Sequence, residues 1–312
     1  MNNCYDGKMT KPSLGSLGKL ITRTTAPLGV ATMLLLNSVG FADTVCKNFY
    51  PDDGPYYRKD FAPASPANSN DPSQFKFVSY NVNLFKNLKG LQNDFATIQD
   101  LRDADFVNFQ EASGMIGGPS NFVEPFAKAL SMNYVFAPAM TLWGEDYGNA
   151  VMSRWPIVSV RKTILPPSGS EKCNHRIAVE TIIQVGSRRI LVTSIHLSTR
   201  FPDSLTGGDK LRVQQFKAGL QSVAEQTEYP AFISGDLNSF VPAGLSGIID
   251  LATQFGFTNA RPDPGITYPL FHFDLDHAFA RGFTVVESGI ISRARGSDHY
   301  PIWTVLRLDN QN

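Results

Sequence analysis

The chain is expected to fold as a layered α/β domain with mainly antiparallel or mixed sheets. Three observations lead there. Short apolar runs with strand-like alternation recur along the chain, several of them in hairpin-like pairs. Stretches with a helical period are interspersed among them. The pattern continues from Phe75 to Leu308 without a break, which predicts one catalytic-size domain over residues 75–312. No internal repeat or low-complexity tract interrupts it.

Residues 1–42 read as a signal peptide. Lys8, Lys11, Lys19 and Arg23 form a basic region, Leu28 to Val39 is mostly apolar, and Gly40-Phe41-Ala42 supplies a small-x-small cleavage pattern. The apolar run is shorter than the ~20 residues a spanning helix needs, and Asn37 interrupts it. A secreted or periplasmic protein is therefore expected; an N-terminal membrane anchor is the alternative. Formal charge over the whole chain is zero. Removal of residues 1–42 leaves 24 basic and 27 acidic residues, a net charge near −3, without the basic footprint of a strong nucleic-acid binder. Cys46 and Cys173 remain, and in an exported protein a Cys46–Cys173 disulfide is one option and two free thiols the other. A monomer is expected.

Residues 43–74, rich in Pro, Asp, Ser and Asn, read as an irregular lead-in. Phe75 to Tyr80 is a strand that ends at Asn81-Val82-Asn83, and Asn93 to Leu101 carries apolar residues at helical spacing. Ala104 to Phe109 is a second strand, ending in Gln110-Glu111. Phe122 to Leu130 is predicted helical, capped near Ser120 or Asn121. Gly148 to Ser153 and Ile157 to Ile164 read as a hairpin-like pair turning at Arg154-Trp155-Pro156. Ile177 to Val185 and Arg189 to Ile195 form a further hairpin about Gly186-Ser187, leading into His196. Asp209 to Gln226 has a strong helical period. Ala231 to Ser234 is a buried strand that ends in the tight turn Ser234-Gly235-Asp236-Leu237-Asn238. Leu275-Asp276-His277 precedes Ala278-Phe279, a strand runs from Phe283 to Val286, and Gly296-Ser297-Asp298-His299 enters the last strand, Ile302 to Leu306.

Six polar stations thus fall at strand ends or adjoining loops: Asn81, Glu111, His196, Asp236 with Asn238, Asp276, and Asp298 with His299. Singly, each has a mundane reading as a turn former, cap or solvated acid. Their recurrence at one kind of place points to a shared cleft. Oxygen ligands without thiolates suit Mg²⁺, with Mn²⁺ as the other option, rather than structural zinc. A histidine paired with an aspartate can take a proton from water, and amide and imidazole donors can stabilise charge on a phosphoryl group.

These stretches resemble the endonuclease/exonuclease/phosphatase superfamily of metal-dependent phosphodiesterases. The matching segments are Ser79 to Val82, Phe109 to Glu111, Gly148 to Ile157, Thr193 to Leu197, Ser234 to Asn238, Leu275 to His277 and Gly296 to Pro301, all in the expected order. The resemblance implies a four-layer sandwich, two packed β-sheets flanked by helices. It implies Glu111, Asn81 and Asp298 as metal ligands, and His299 with Asp276 as the base that activates water. Asp236 would position that water or a second metal, and Asn238 and His196 would contact the scissile phosphate. His277 should face away from Asp276 and be structural. Arg176 is a candidate for phosphate contact, with a surface charge at a strand start as the favoured reading, while His175 and His272 lie in loops.

The expected activity is an exported Mg²⁺-dependent phosphodiesterase, with nucleic acid, DNA first, as substrate. A phospholipid or inositol phosphate hydrolase is the alternative. It would want an apolar lip, for which Trp143, Phe201-Pro202 and Phe240-Val241-Pro242 are candidates. A non-catalytic binding module on the same fold is a third class, disfavoured because the metal and base positions are all filled. Lys86, Lys89, Arg154, Arg200 and Lys210 are scattered candidates for phosphate contact.

Overall fold

Side-chain alternation along Gln74–Asn81 sets the plan of the molecule. Phe75 and Phe77 enter a core between two sheets, while Val78 and Tyr80 enter a second core under helices. The computed structural model describes residues 46–47, 49–63, 72–116, 121–167, 175–199, 210–226, 228–240 and 242–309. Residues 42–312 form one compact unit. The expected signal segment, Cys173 with its disulfide option, Arg200 and Phe201-Pro202 lie outside the described residues.

In chain order the elements are β1 (Cys46–Lys47), β2 (Tyr57–Lys59), β3 (Gln74–Asn81), α1 (Leu88–Thr97), α2 (Gln99–Arg102), β4 (Phe106–Met115), α3 (Glu124–Ala129), β5 (Asn133–Leu142), β6 (Glu145–Ser153), β7 (Ile157–Ile164), β8 (Ile177–Val185), β9 (Arg188–His196), α4 (Lys210–Ala224), β10 (Ala231–Asp236), α5 (Pro242–Gln254), β11 (Thr258–Asn259), β12 (Asp276–Arg281), β13 (Phe283–Ile290) and β14 (Ile302–Leu308). One sheet has the order β1-β5-β6-β4-β3-β14-β13, with β2 also paired to β5. The other has the order β11-β12-β10-β9-β8-β7. Both mix parallel and antiparallel pairs.

Three apolar clusters define four layers. Leu91, Phe95 and Phe126 from the first helices pack on Tyr80 and Phe109. Phe77, Phe106, Val192 and Phe232 meet between the sheets, where the Phe77 and Phe232 rings lie 4.2 Å apart. Phe216 and Leu220 of α4 and Ile248 of α5 cover Leu191 and Ile233. Each fully buried large side chain contributes about 1.5–3 kcal/mol. The four-layer sandwich is thus as expected. None of the described helices is long and apolar enough to cross a membrane.

Several local expectations are corrected. Gly148 to Ser153 and Ile157 to Ile164 do not form a hairpin: β6 lies in one sheet and β7 in the other. The chain changes sheets at Arg154-Trp155-Pro156, and Arg154 secures the crossing by donating to the carbonyls of Ala104, Leu130 and Arg102. That engagement makes Arg154 structural. The partner of β6 is instead β5, which shows no alternation because it is buried on both faces and carries Pro138 at an irregularity. Helix α1 starts earlier than predicted and breaks at Ile98, whose backbone is extended. Helix α5, unforeseen, opens on Pro242 and contains Gly244 and Gly247. The lead-in is not wholly irregular: β1 and β2 extend the first sheet, and the Tyr50 and Tyr57 hydroxyls donate to the buried Asp146 carboxylate at 2.7 and 2.9 Å.

Candidate active site

Period-two alternation aims one set of polar residues into the gap between the sheets. On β3 the inward series is Phe75, Phe77, Ser79 and Asn81; on β9 it is Ile190, Val192, Ser194 and His196; on β10 it is Phe232, Ser234 and Asp236; on β12 it is Ala280, Ala278 and Asp276. Each series is apolar in the middle and polar at the same end. Just beneath that end a buried belt ties the sheets together. Asn108 donates to the Thr193 carbonyl (2.8 Å) and the Ser234 hydroxyl (2.9 Å), and Gln110 donates to the Ser194 hydroxyl (3.1 Å). The site therefore stands on stiff, cross-linked strand ends.

Glu111 reaches the same cleft by a different route. Strict alternation would put it on the Val107/Phe109 face, under the helices. A bulge between Phe109 and Ala112 adds one residue, and Glu111 takes φ 55° there. The strand then continues to Met115 rather than ending at Glu111 as expected. Glu111 lies beside Asn81 and in the fields of Arg176, His299 and Asp298.

Asp236 is the hub. Its Oδ2 accepts from Asn81 Nδ2 at 3.0 Å and lies 3.5 Å from His196 Nε2 and 3.7 Å from His299 Nε2. Its Oδ1 accepts from the Asn238 backbone N–H at 2.9 Å, in a turn that places Asn238 at φ 50°. The parallel pairing of β10 with β9 sets Asp236 beside His196. Gly235 permits that pairing, because a Cβ there would sit 1.7 Å from the Ile195 carbonyl oxygen. His299 Nδ1 meets Asp276 Oδ2 at 2.8 Å. Asp276 is held in turn by Thr267, whose hydroxyl accepts from the Leu275 and Asp276 N–H groups. Tyr268 packs on the His299 ring at 4.8 Å.

The electrostatics follow from crowding acids in a buried cleft. Burial raises Glu111, and the Arg176 charge only partly offsets it. Burial and then Asp276 raise Asp236, against the opposing pull of His299. Burial alone would lower His299, but Asp276, Asp236 and Asp298 overcome it and push the imidazole up to about 10. Burial, Arg176 and His299 hold His196 well below the ordinary imidazole range, so this ring is neutral.

Tyr147 is unforeseen in the cleft, and Arg176 enters it against the favoured surface reading. Arg176, expected at the surface, is buried. It donates to Tyr147 Oη at 2.6 Å and to His196 Nδ1 at 2.9 Å, and its Nε is buried without a partner. Arg176 Nη1 and Asn238 Nδ2 also lie 3.3 and 3.1 Å from His196 Nε2. Tyr147 sits one residue before the Gly148 motif. An arginine directly before an apolar strand gives no signal that separates an inward from an outward side chain.

The remaining predicted positions divide clearly. Asn238 donates to the Leu197 carbonyl and lies 3.1 Å from His196 Nε2. Asp298 stands exposed at the rim, with its carboxylate on the Ser297 hydroxyl. His277 faces the other way, against Arg261 and the Asp274 carbonyl, as a structural residue should. His175 is half-buried beside Phe49, and His272 is exposed on a turn.

The donor set fits a hard divalent cation. Asp236, Asp276 and His299 offer ligand atoms within 4.8 Å of one another, and Glu111 and Asn81 adjoin them. Asp276 Oδ1 is buried with no hydrogen-bond partner. Raised carboxylates and an orphaned buried oxygen mark a site short of positive charge.

Comparison with known proteins agrees with this geometry. The sequence matches the Endonuclease/Exonuclease/phosphatase family over residues 78–299. No curated protein sequence matches the chain. Among solved structures, an endonuclease/exonuclease/phosphatase from Beutenbergia cavernae is 19% identical, with a TM-score of 0.58, covering 77% of this chain and 72% of that one. D. rerio TDP2 complexed with single strand DNA product is 17% identical, with a TM-score of 0.58, covering 76% of this chain and 100% of that one. The human Nocturnin catalytic domain with bound sulfate anion is 14% identical, with a TM-score of 0.60, covering 76% of this chain and 94% of that one. At such identities the likeness is one of fold.

Proposed function

This chain belongs to the Endonuclease/Exonuclease/phosphatase family and is a hydrolase of ester bonds, and from that premise we propose that it is an exported Mg²⁺-dependent phosphodiesterase in which His299 activates the attacking water. The convergence of Glu111, Asp236, His196 and the Asp276–His299 pair in one cleft carries the reading. Glu111, with Asn81 and the rim carboxylate of Asp298, would hold the cation. Asp276 and His299 already satisfy each other and are better used as a dyad. When bound, a divalent cation supplies positive charge against the phosphoryl oxygens.

The chain's own groups account for the rest. His299 Nε2 takes the proton from water, while Asp276 fixes the ring through Nδ1 and stabilises the imidazolium. Asp236, between Asn81 and the two imidazoles, orients the nucleophile. His196, Asn238 Nδ2 and the Arg176 guanidinium form a donor wall for the developing phosphoryl charge. DNA is the first substrate, a reading supported by the likeness to a TDP2 structure that holds a single-strand DNA product. Export rests on the basic and apolar pattern of residues 1–42.

A second reading, a phospholipid or inositol phosphate substrate, is favoured by two exposed apolar tips. Met115 at the end of β4 and Trp143 in the β5–β6 turn are both exposed, with Lys86 Nζ 5.5 Å over the Trp143 ring. Ile266 and Leu270 are exposed on the loop that carries Tyr268 against His299. Phe240, a candidate for such a lip, instead packs on Phe273.

Supercoiled plasmid, short oligonucleotides, sphingomyelin and phosphoinositides, each with Mg²⁺ or EDTA, separate the readings. Mg²⁺-dependent cleavage of DNA is expected; turnover only of the lipids moves the assignment to the second reading, and no turnover of any sinks both. Glu111→Gln should weaken Mg²⁺ binding in calorimetric titration. His299→Ala should lower kcat by ~10²–10⁴-fold in a folded protein.

A further inference from the structure

The segment that delivers Asp298 and His299 is a loop, Ile291 to Pro301, between β13 and β14. A base on a loop needs something rigid to hold it within a few tenths of an ångström. One side is held by the second sheet: the Tyr300 N–H donates to the Thr267 carbonyl at 2.7 Å, and Thr267 also secures Asp276. The other side is held by α1, through a residue that no catalytic role uses.

Asp94 on α1 is 2% exposed. Its neighbours on the buried helix face, Leu91 and Phe95, are apolar. No lysine, arginine or histidine side chain pairs with it among the described residues. Its carboxylate instead accepts from the backbone N–H of Arg295 at 2.9 Å, from that of Gly296 at 2.7 Å and from the Tyr80 hydroxyl at 3.2 Å. Burial and the nearby Asp94 charge raise the Tyr80 phenol and keep it protonated, so its hydroxyl donates to Asp94. Two successive loop N–H groups, those of Arg295 and Gly296, are thus gathered by the same carboxylate that holds the Tyr80 hydroxyl. Asn87, the cap of the same helix, donates to the Arg295 carbonyl at 3.1 Å. Contact is so close that a Cβ on Gly296 would lie 2.6 Å from Leu91 backbone atoms and 2.8 Å from Asp94 Oδ2.

A buried carboxylate without a cation is a costly choice for a core position. Here its charge strengthens three hydrogen bonds, two of them to the loop that ends in His299. Tyr80 lies one residue before Asn81, so the same node also braces the β3 end of the cleft. We propose that Asp94, with Tyr80, is the positioning residue for His299: it registers the Gly296–His299 loop against α1 so that the imidazole meets Asp276 and Asp236. The assignment rests on the hydrolytic reading of the cleft.

Asp94→Asn keeps the shape but turns an amide N–H₂ toward backbone donors. Tyr80→Phe keeps the buried ring and removes the hydroxyl. Steady-state kinetics on the substrate found in the screen should show kcat lowered by ~10–100-fold in Asp94→Asn with KM within about twofold, and a smaller fall in the same sense for Tyr80→Phe. In metal-free protein, the downfield Nδ1–H resonance of the His299–Asp276 bond, assigned by its loss in His299→Ala, should shift or broaden in both variants. Should Asp94→Asn fail to fold, Tyr80→Phe decides. Folded variants with wild-type kcat and an unmoved His299 resonance would overturn the proposal, even if their melting temperatures fall. If the wild-type protein turns over no phosphate ester, the hydrolytic reading fails by itself, and the resonance still decides the positioning role.

Discussion

Arg176 and His299 both act on Glu111, and the proposed mechanism gives them opposite duties. Arg176 offers a planar fork, of which Nε is buried without a partner. Arg176→Lys preserves the charge but not the fork. It is expected to lower kcat by ~10²-fold, read in single-turnover rates, with the fold intact by circular dichroism. In the proposed mechanism His299 must instead exchange its proton. The surrounding carboxylates push it up to about 10, so in cation-free protein it is an imidazolium at neutral pH. A base works only when neutral, so activity at saturating Mg²⁺ should climb with pH and decline as pH falls through the His299 titration. A rate that stays flat from pH 5 to 8 would remove His299 from the role of base.

Strand geometry does much of the placement at the candidate site. Asn81, His196, Asp236 and Asp276 are simply the next inward positions after runs of core residues. Glu111 needs a bulge, and its left-handed backbone is a local cost accepted at the site. Gly235 is needed because β9 and β10 approach within the volume of a methyl group. Gly235→Ala should destabilise the protein by about 1–3 kcal/mol or more in urea titration, and lower activity further by separating Asp236 from His196. An alanine with unchanged stability would show that the strands can spread there at no penalty.

Taken as a whole, the cleft stores protons. Asp236 and His299 both bind a proton more tightly in the folded protein than in the unfolded chain, and the ion-paired Asp276 is the lowered partner that accompanies His299. The sign is set by the raised groups. Stability from His299 is full below the unfolded imidazole value near ~6.5 and is lost as pH rises through about 10. In EDTA the melting temperature should therefore fall across that window, and His299→Gln should lack that part of the fall. A cation held by these acids would compete with those protons, so Mg²⁺ should stabilise more at pH 8.5 than at pH 6; a hundredfold excess over Kd is worth about 2.7 kcal/mol in total. An equal Mg²⁺ effect at both pH values would mean that the cation binds away from these acids.

The sequence by itself determined the class of fold, the order of the motifs and the candidate acids, amides and histidines, because alternation and turn residues are local and survive in the linear chain. It also placed His277 on the face opposite Asp276. It did not determine that β6 and β7 part into different sheets, that Arg176 turns inward, that the lead-in clamps Asp146, or that Asp94 reaches the loop of His299. Those are relations between residues as far apart as 94 and 296. They depend on which surfaces meet when two sheets and two helical layers close on one another, and no local pattern records that meeting.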